Sequence, residues 1–283
     1  MAIGILPMLL RKIDLPSCPV EKLEWPNQEI PIAKTVGDLG PDDQIVVYPN
    51  SDIFFKPRPK LKCKVSLVIT EPKAIHAKYY RLLLLIRHRF YRVICRYPEY
   101  AKKHQNVLLL PVVDTWVSDE AIMRLVEKTK ECSLIASAKR NLEGHLLRHR
   151  IASWCKLNAE GVDLLGKGYR PFENKDDGLA TYNYSIVIEN NQEREYFTEK
   201  LLDCILCDTI PIYWGCPNIG DYFDINGIII CKNEDDIKRA VLKIDEKASQ
   251  KQKAAMIYNK SIALNLSKLN QRIVDVLTNE NNH

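Results

Sequence analysis

The stretch that most tightly limits what this chain can fold into is residues 182–217, YNYSIVIENNQEREYFTEKLLDCILCDTIPIYWGCP. Tyr184 to Ile188 is a short run rich in β-branched residues, the pattern of a buried strand. A polar loop, Glu189 to Glu195, follows. Phe197, Leu201, Leu202, Ile205 and Leu206 then recur at helical spacing, and Ile210 to Trp214 forms a second apolar run that stops at Gly215. Strand, loop, helix and strand make one βαβ unit, which requires a parallel sheet. Ligands of such sheets sit beyond the carboxyl ends of the strands, facing helix N-termini. Thr198, Glu199 and Lys200 fall in the helix's first turn, where backbone N–H groups and the helix dipole favour an anion. A lysine there adds a full positive charge, so the geometry predicts a phosphate site.

With 283 residues the chain is long enough for two domains with proper cores. No apolar run approaches the roughly 20 residues a membrane-spanning helix needs. The start, MAIGILPMLLRK, lacks a basic leading region and contains Pro7, so it is expected to be a strand or packed segment, not a signal peptide. Nine cysteines, an odd number, lie mostly inside apolar runs, where a free thiol behaves as a small hydrophobe. A reducing, cytoplasmic compartment is the expectation. Cys204 and Cys207 have CxxC spacing but no second pair nearby, and read as helix core. The net charge of +5 is uneven: residues 73–104 hold nine lysines and arginines against one acid, Glu99. That basicity is local. It suits a solvated helix face, or a surface for an acidic or lipid-linked glycan with peripheral membrane contact. No nucleic-acid-binding motif accompanies it, and nucleic acid is not an expected partner.

In chain order, Ile45–Tyr48, Val65–Thr70, Arg92–Cys95 and Val107–Leu110 read as strands, with a helix across 75–90. Ser118-Asp119-Glu120 reads as a helix start, with Ala121, Leu125 and Val126 on one face. The domain boundary is expected there, giving domains of 1–120 and 121–283. In the second, Cys132–Ser137 and Val162–Leu165 read as strands, and Ile228–Cys231 as the last. Ile237, Val241, Ile244 and Ala248 mark a helix, and Tyr258 to Val276 another. His145 and His149, four apart, have the spacing of a metal pair but no apparent third ligand. There is no GxGxxG, so dinucleotide binding has little support.

Glu189-Asn190, five intervening residues, Tyr196, then Thr198-Glu199-Lys200 and IPIYWG resemble the donor-binding signature of the α-1,3/1,4-fucosyltransferases. The likeness is specific over roughly residues 182–224 and thins upstream. The chain is expected to lack the N-terminal anchor of animal and plant members and to be similar to the soluble bacterial or viral type. The resemblance implies a GT-B fold, with two Rossmann-like domains whose parallel sheets face across a cleft. Residues 1–120 would be the acceptor side and 121–283 the donor side. It also implies an inverting transfer of L-fucose from GDP-fucose to a glycan hydroxyl. Alternatives are a GT-B enzyme using another nucleotide sugar, or a non-catalytic protein binding nucleotide sugar or glycan.

The same resemblance supplies roles. The family has an arginine at the start of the helix after the first donor-domain strand, poised over the pyrophosphate; Arg148 aligns best and Arg150 second. Its proposed general base follows a strand of the acceptor domain, which maps to Glu71, although Thr-Glu-Pro stands here where bacterial members have Gly-Glu-Asn. Glu99 and Asp114 are lesser candidates. Glu189, Asn190, Tyr196, Glu199 and Lys200 would bind the donor. Neutralising a leaving diphosphate needs a divalent metal or fixed cations, and no Asp-x-Asp is present. The expectation is therefore Arg148 and Lys200 as the cations, with no metal and no cofactor besides the donor substrate.

Overall fold

The computed structural model describes residues 1–26, 30–244 and 249–279. The chain divides into two compact units, 1–112 with 269–283, and 113–268. The division thus falls at 112/113 where the sequence suggests 120/121, and the last helix belongs with the first unit.

The first unit holds a five-stranded parallel sheet of β1 (Ile3–Ile5), β2 (Gln44–Val47), β3 (Lys64–Val68), β4 (Val93–Cys95) and β5 (Val107–Leu109), ordered as in the sequence. Its crossovers carry α1 (Ser51–Phe55), α2 (Lys73–Ile86) and α3 (Pro98–Ala101). Parallel connections are right-handed, so strands laid down in one direction place every crossover on one face. The strand side chains divide accordingly. Ile45, Val47, Leu67, Val93 and Cys95 pack with Phe54, Tyr80 and Leu83 of α1 and α2. Ile3, Ile5, Val46, Val68, Ile94 and Leu108 point to the opposite face, which the crossovers leave bare. The chain's last helix, Leu269–Asn279, covers it with Leu269, Ile273, Val274 and Leu277. The segment read as strand or packed segment is β1, on the sheet edge beside β2. The expected helix across 75–90 is α2 with a kink at His76, followed by a 3₁₀ turn at Arg87–Arg89.

The second unit holds β6 (Lys130–Ile135), β7 (Val162–Leu165), β8 (Tyr182–Ile188), β9 (Ile210–Trp214) and β10 (Ile229–Ile230), all parallel and ordered β10-β9-β8-β6-β7. Its helices are α4 (Asp119–Met123), α5 (Glu143–Asn158), α6 (Glu199–Leu206), α7 (Glu234–Val241) and α8 (Gln250–Leu266). α4 is shorter than its pattern suggests: Ser118 caps it, accepting from Ala121 N at 3.2 Å, but it ends at Met123 and Leu125 lies in solvent. The helix from Ile237 stops at Val241; Ala248, expected on it, lies outside the described residues. The long final helix is two, α8 and the Leu269–Asn279 helix (α9), broken at Ser267-Lys268. CxxC residues Cys204 and Cys207 are buried free thiols in the core, as expected.

Strand order decides where a ligand can go. From β6 the chain steps to β7 on one side, then crosses back to β8 on the other. The carboxyl ends of β6 and β8 therefore flank the point where the winding reverses, and the crevice opens there.

Ile273 is fully buried against the first sheet. Ile273→Ala is expected to lower stability in urea unfolding by about 2–5 kcal/mol. An unchanged unfolding midpoint would mean that the helix does not cover that face.

Candidate functional site

Two elements converge at the reversal point. β8 ends at Ile188 and presents Glu189 and Asn190. The loop after β6 leads into α5, whose second residue, Gly144, lies against that pair. Gly144 N donates to Asn190 O at 3.1 Å, and a Cβ at 144 would stand 1.8 Å from the Glu189 carbonyl oxygen. Only glycine allows the helix this close. One turn further, Arg148 is buried; its Nε donates to Ile188 O at 2.9 Å, and its Nη2 to Ile188 O and to Asn190 Oδ1, the latter at 2.9 Å. Among the described residues, Nη1 has no protein partner. Arg150, the second candidate, faces elsewhere and pairs with Glu234 at 2.7 Å.

Glu189 is fully buried, and both carboxylate oxygens are engaged. Oε1 accepts from Thr198 N and Oε2 from Thr198 Oγ1, each at 2.8 Å. Thr198 in turn caps α6, its Oγ1 accepting from Lys200 N at 3.3 Å. A Cβ at Gly215 would come within 2.6 Å of Glu189 Cγ, so the end of β9 is also shaped around this side chain. The sequence suggested that Glu189 contacts the ligand; the structure gives it to the N-terminus of α6. Tyr196, expected to bind donor, is almost wholly buried beside it.

Lys200 Nζ donates to Thr198 Oγ1 at 3.0 Å and Glu199 Oε1 at 2.9 Å, and lies 3.8 Å from Glu189 Oε2. An ammonium has three protons, so one is left. Burial alone would lower the Lys200 pKa, but Glu199 and Glu189 outweigh it and hold the group above its ordinary value. The Glu199 carboxyl moves the opposite way: burial would raise it, but Lys200 keeps it below the usual range. Burial pushes Glu189 up, with Glu199 adding to the effect and Lys200 and Thr198 opposing it. Burial also lowers Arg148. His145, buried on α5 with Nδ1 2.9 Å from Asn141 Oδ1, is pushed down by burial and then by Arg148, Lys139 and Lys200. Three cations thus act at one place. His149 does not join His145 as a metal pair; its ring nitrogens meet Tyr169 Oη at 2.9 Å and Lys139 O at 3.1 Å. Among the described residues no group of three or more His, Cys, Asp or Glu is arranged to hold a metal ion.

Glu71 lies in the other unit, just past the end of β3, half-buried, with its carbonyl accepting from Tyr80 Oη at 3.2 Å. The sequence reading missed Asp203 on α6. This fully buried carboxylate accepts from Thr115 Oγ1 at 2.6 Å and Trp116 N at 3.0 Å, with Lys175 Nζ 3.9 Å away. The signal was an acid four residues after Glu199 in an otherwise apolar stretch of helix. Burial pushes its pKa up to about 6.

No family model matches the chain. In overall architecture it is similar to the α,α-trehalose-phosphate synthase (UDP-forming) of Burkholderia vietnamiensis, with a TM-score of 0.58 at 8% identity over 85% of this chain and 72% of that one. Two five-stranded parallel sheets with their helices make this a GT-B glycosyltransferase fold. A crystal structure of an alpha1,3-fucosyltransferase with GDP-fucose also aligns, at 18% identity over 79% of this chain and 78% of that one, with a looser TM-score of 0.44. In sequence, 52 residues are 40% identical to the alpha-(1,3)-fucosyltransferase FucT of Helicobacter pylori, 18% of this chain and 11% of the relative's length. The chain thus matches only a small part of that relative's length.

Asp203 supplies a pH test. Its carboxyl stands near 6 when folded against an ordinary 3.8, so between those values the folded chain binds a proton that the unfolded chain lacks. Its contribution therefore falls as pH rises through that window, by on the order of 3 kcal/mol. Urea unfolding of wild type and Asp203→Asn from pH 4 to 6 should show the wild type losing stability relative to the variant. A constant difference would contradict the assignment.

Proposed function

We propose that the chain is an inverting glycosyltransferase that moves L-fucose from GDP-fucose to a glycan hydroxyl. The observation that carries this reading is the pair of cations at the winding reversal. Arg148 and Lys200 are each anchored by protein oxygens, and each keeps one donor, Nη1 and the third ammonium proton, for a ligand. The N-terminus of α6 lies beside them, and a diphosphate suits all three. The local likeness to a fucosyltransferase, together with the motif at residues 189–200, supports fucose as the sugar.

In this reading Glu71 takes the proton of the acceptor hydroxyl. The acceptor oxygen then bonds to the sugar's anomeric carbon from the face opposite the nucleotide, and the bond from that carbon to the β-phosphate oxygen breaks. GDP leaves as an anion, its charge met by Arg148, Lys200 and the helix N-terminus, with no divalent ion or further cofactor. Glu199, kept ionised by Lys200, is repelled by phosphate and so serves hydroxyls of the sugar or ribose. Asn190, tied to Arg148, orients the guanidinium and offers its amide to the nucleotide sugar. Glu189 acts through Thr198 by holding the first turn of α6, and Tyr196 by packing beneath it. The acceptor is a glycan, lipid-linked or acidic, and the setting is cytoplasmic.

Calorimetric titration should show GDP binding to wild type and a loss of about 1.5–3 kcal/mol with Lys200→Ala, the worth of a charged hydrogen bond. Equal affinity would remove Lys200 from the site. Hydrolysis and transfer assays with several nucleotide sugars test the donor, and turnover of a non-fucose donor alone would reject fucose. Glu71→Gln is expected to abolish transfer while leaving GDP affinity unchanged. Unaltered transfer would take Glu71 out of the mechanism, and a parent chain that binds donor without turnover would be a binding protein.

A further inference from the structure

Residues 53–92 contain eleven lysines and arginines and one acid, Glu71, a net +10 in a chain whose total is +5. The rest of the protein is therefore net −5, and the positive charge is confined to part of the first unit. The fold brings the 55–64 part of it against α2. Phe54 of α1 stacks on Tyr79 of α2 with ring centroids 5.2 Å apart. Arg58, in the segment after α1, donates to Arg89 O at 2.6 Å, and Arg89 donates back to Lys56 O at 2.6 Å. These reciprocal bonds tie segment 55–64 to the end of α2.

Two properties of this surface point to a ligand outside the chain. First, its cations outnumber the acids beside them: Asp52 pairs with Lys56 and Glu99 with Lys73. Arg58 is pushed below its ordinary pKa by burial and then by Arg89, a like charge. Basic residues at Arg87–Arg89 also answer the helix dipole at the end of α2, but that does not account for exposed Lys60 and Lys62, which stand on no helix. Second, large apolar side chains stand out among the cations. Phe55 is 59% exposed, Leu84 50% and Leu85 73%. On α2 the outward arc of Lys78, Arg81 and Leu85 carries no acid. Cations alone would suit any polyanion. Protruding leucines and a phenylalanine gain by leaving water, which a phosphate backbone does not offer them and an acyl-chain boundary does.

We propose that this face of the first unit is a docking surface for an anionic lipid bilayer. Lysines and arginines lie over acidic headgroups, and Phe55, Leu84 and Leu85 enter the interface. The proposal needs no nucleotide sugar and stands whether or not the chain transfers fucose.

The test is co-sedimentation of the full chain with phosphatidylcholine vesicles, with and without about one-third phosphatidylserine. Binding to the anionic vesicles alone, falling as salt is raised, is expected. Lys60→Ala with Lys62→Ala should weaken it about twenty-five-fold, roughly five-fold per charge. Leu85→Ser should weaken it several-fold at unchanged net charge, and Lys251→Ala with Lys253→Ala, in the other unit, should leave it unchanged. These positions are exposed, so unchanged thermal unfolding is expected of each variant. Absence of vesicle binding, or equal binding without phosphatidylserine, would overturn the proposal. So would a Leu85→Ser variant that binds like wild type, or retention by polyuridylate but not by vesicles, which would make the face a nucleic-acid surface.

Discussion

The second unit depends on one buried carboxylate. Glu189 receives two hydrogen bonds from Thr198, so the end of β8 and the start of α6 form one piece. A carboxylate buried without partners would carry a penalty of several kcal/mol; here the backbone N–H, the hydroxyl and the neighbouring Lys200 offset it. Because Thr198 also caps the helix, the carboxylate fixes the direction in which the first turn of α6 points. Gly144 and Gly215 are small where the same residue passes, which lets α5 and the end of β9 close on it from two sides.

The cations of the site follow from that arrangement. Arg148 is pinned by the carbonyl of Ile188 and the amide oxygen of Asn190, both next to Glu189 in the chain. Lys200 is pinned by Thr198 and Glu199. Neither is a flexible surface charge. Holding them in place reduces the ordering that a bound anion would otherwise require, and leaving one donor on each gives direction as well as charge. Two carboxylates balance the two cations, so in the proposed function an anion would be held through aimed donors more than through net charge.

The first unit is built on a different constraint. Its strands follow sequence order, and right-handed connections then put all crossovers on one face. The other face is as apolar as the first and needs a cover, which the C-terminal helix supplies. The same order leaves this sheet without a winding reversal. A crevice of the kind found at the second sheet's reversal is therefore missing, and a surface crowded with cations and exposed apolar side chains is the unit's distinguishing chemistry.

Much of this was legible in the residues. The βαβ stretch is as the periodicity of 182–217 predicts, and the other strands lie within about two residues of their apolar runs, because period-2 and period-3.6 patterns are local properties of the chain. Thr198 marks the start of α6 by capping chemistry, which is also local. What the pattern could not contain was pairing across distance. The resemblance ranks Arg148 above Arg150, but that Arg148 is pinned to the end of β8 while Arg150 pairs with Glu234 follows from the direction of a helix face. The engagement of Glu189 with Thr198, not with solvent, required both to be placed. The close pass of Gly144 against the Glu189 carbonyl, and the burial that raises the Asp203 pKa, likewise exist only in the folded chain.

The amino-acid order by itself determined the parallel α/β class, the positions of the strands, the helix start at Thr198 and the confinement of positive charge to the first half, since each rests on neighbours a few residues apart. Strand order, the docking of the last helix on the first sheet and the convergence of Arg148, Glu189 and Lys200 were decided by tertiary structure. These depend on which apolar faces find a partner and on where a winding reversal leaves strand ends uncovered, and such contacts join residues tens of positions apart.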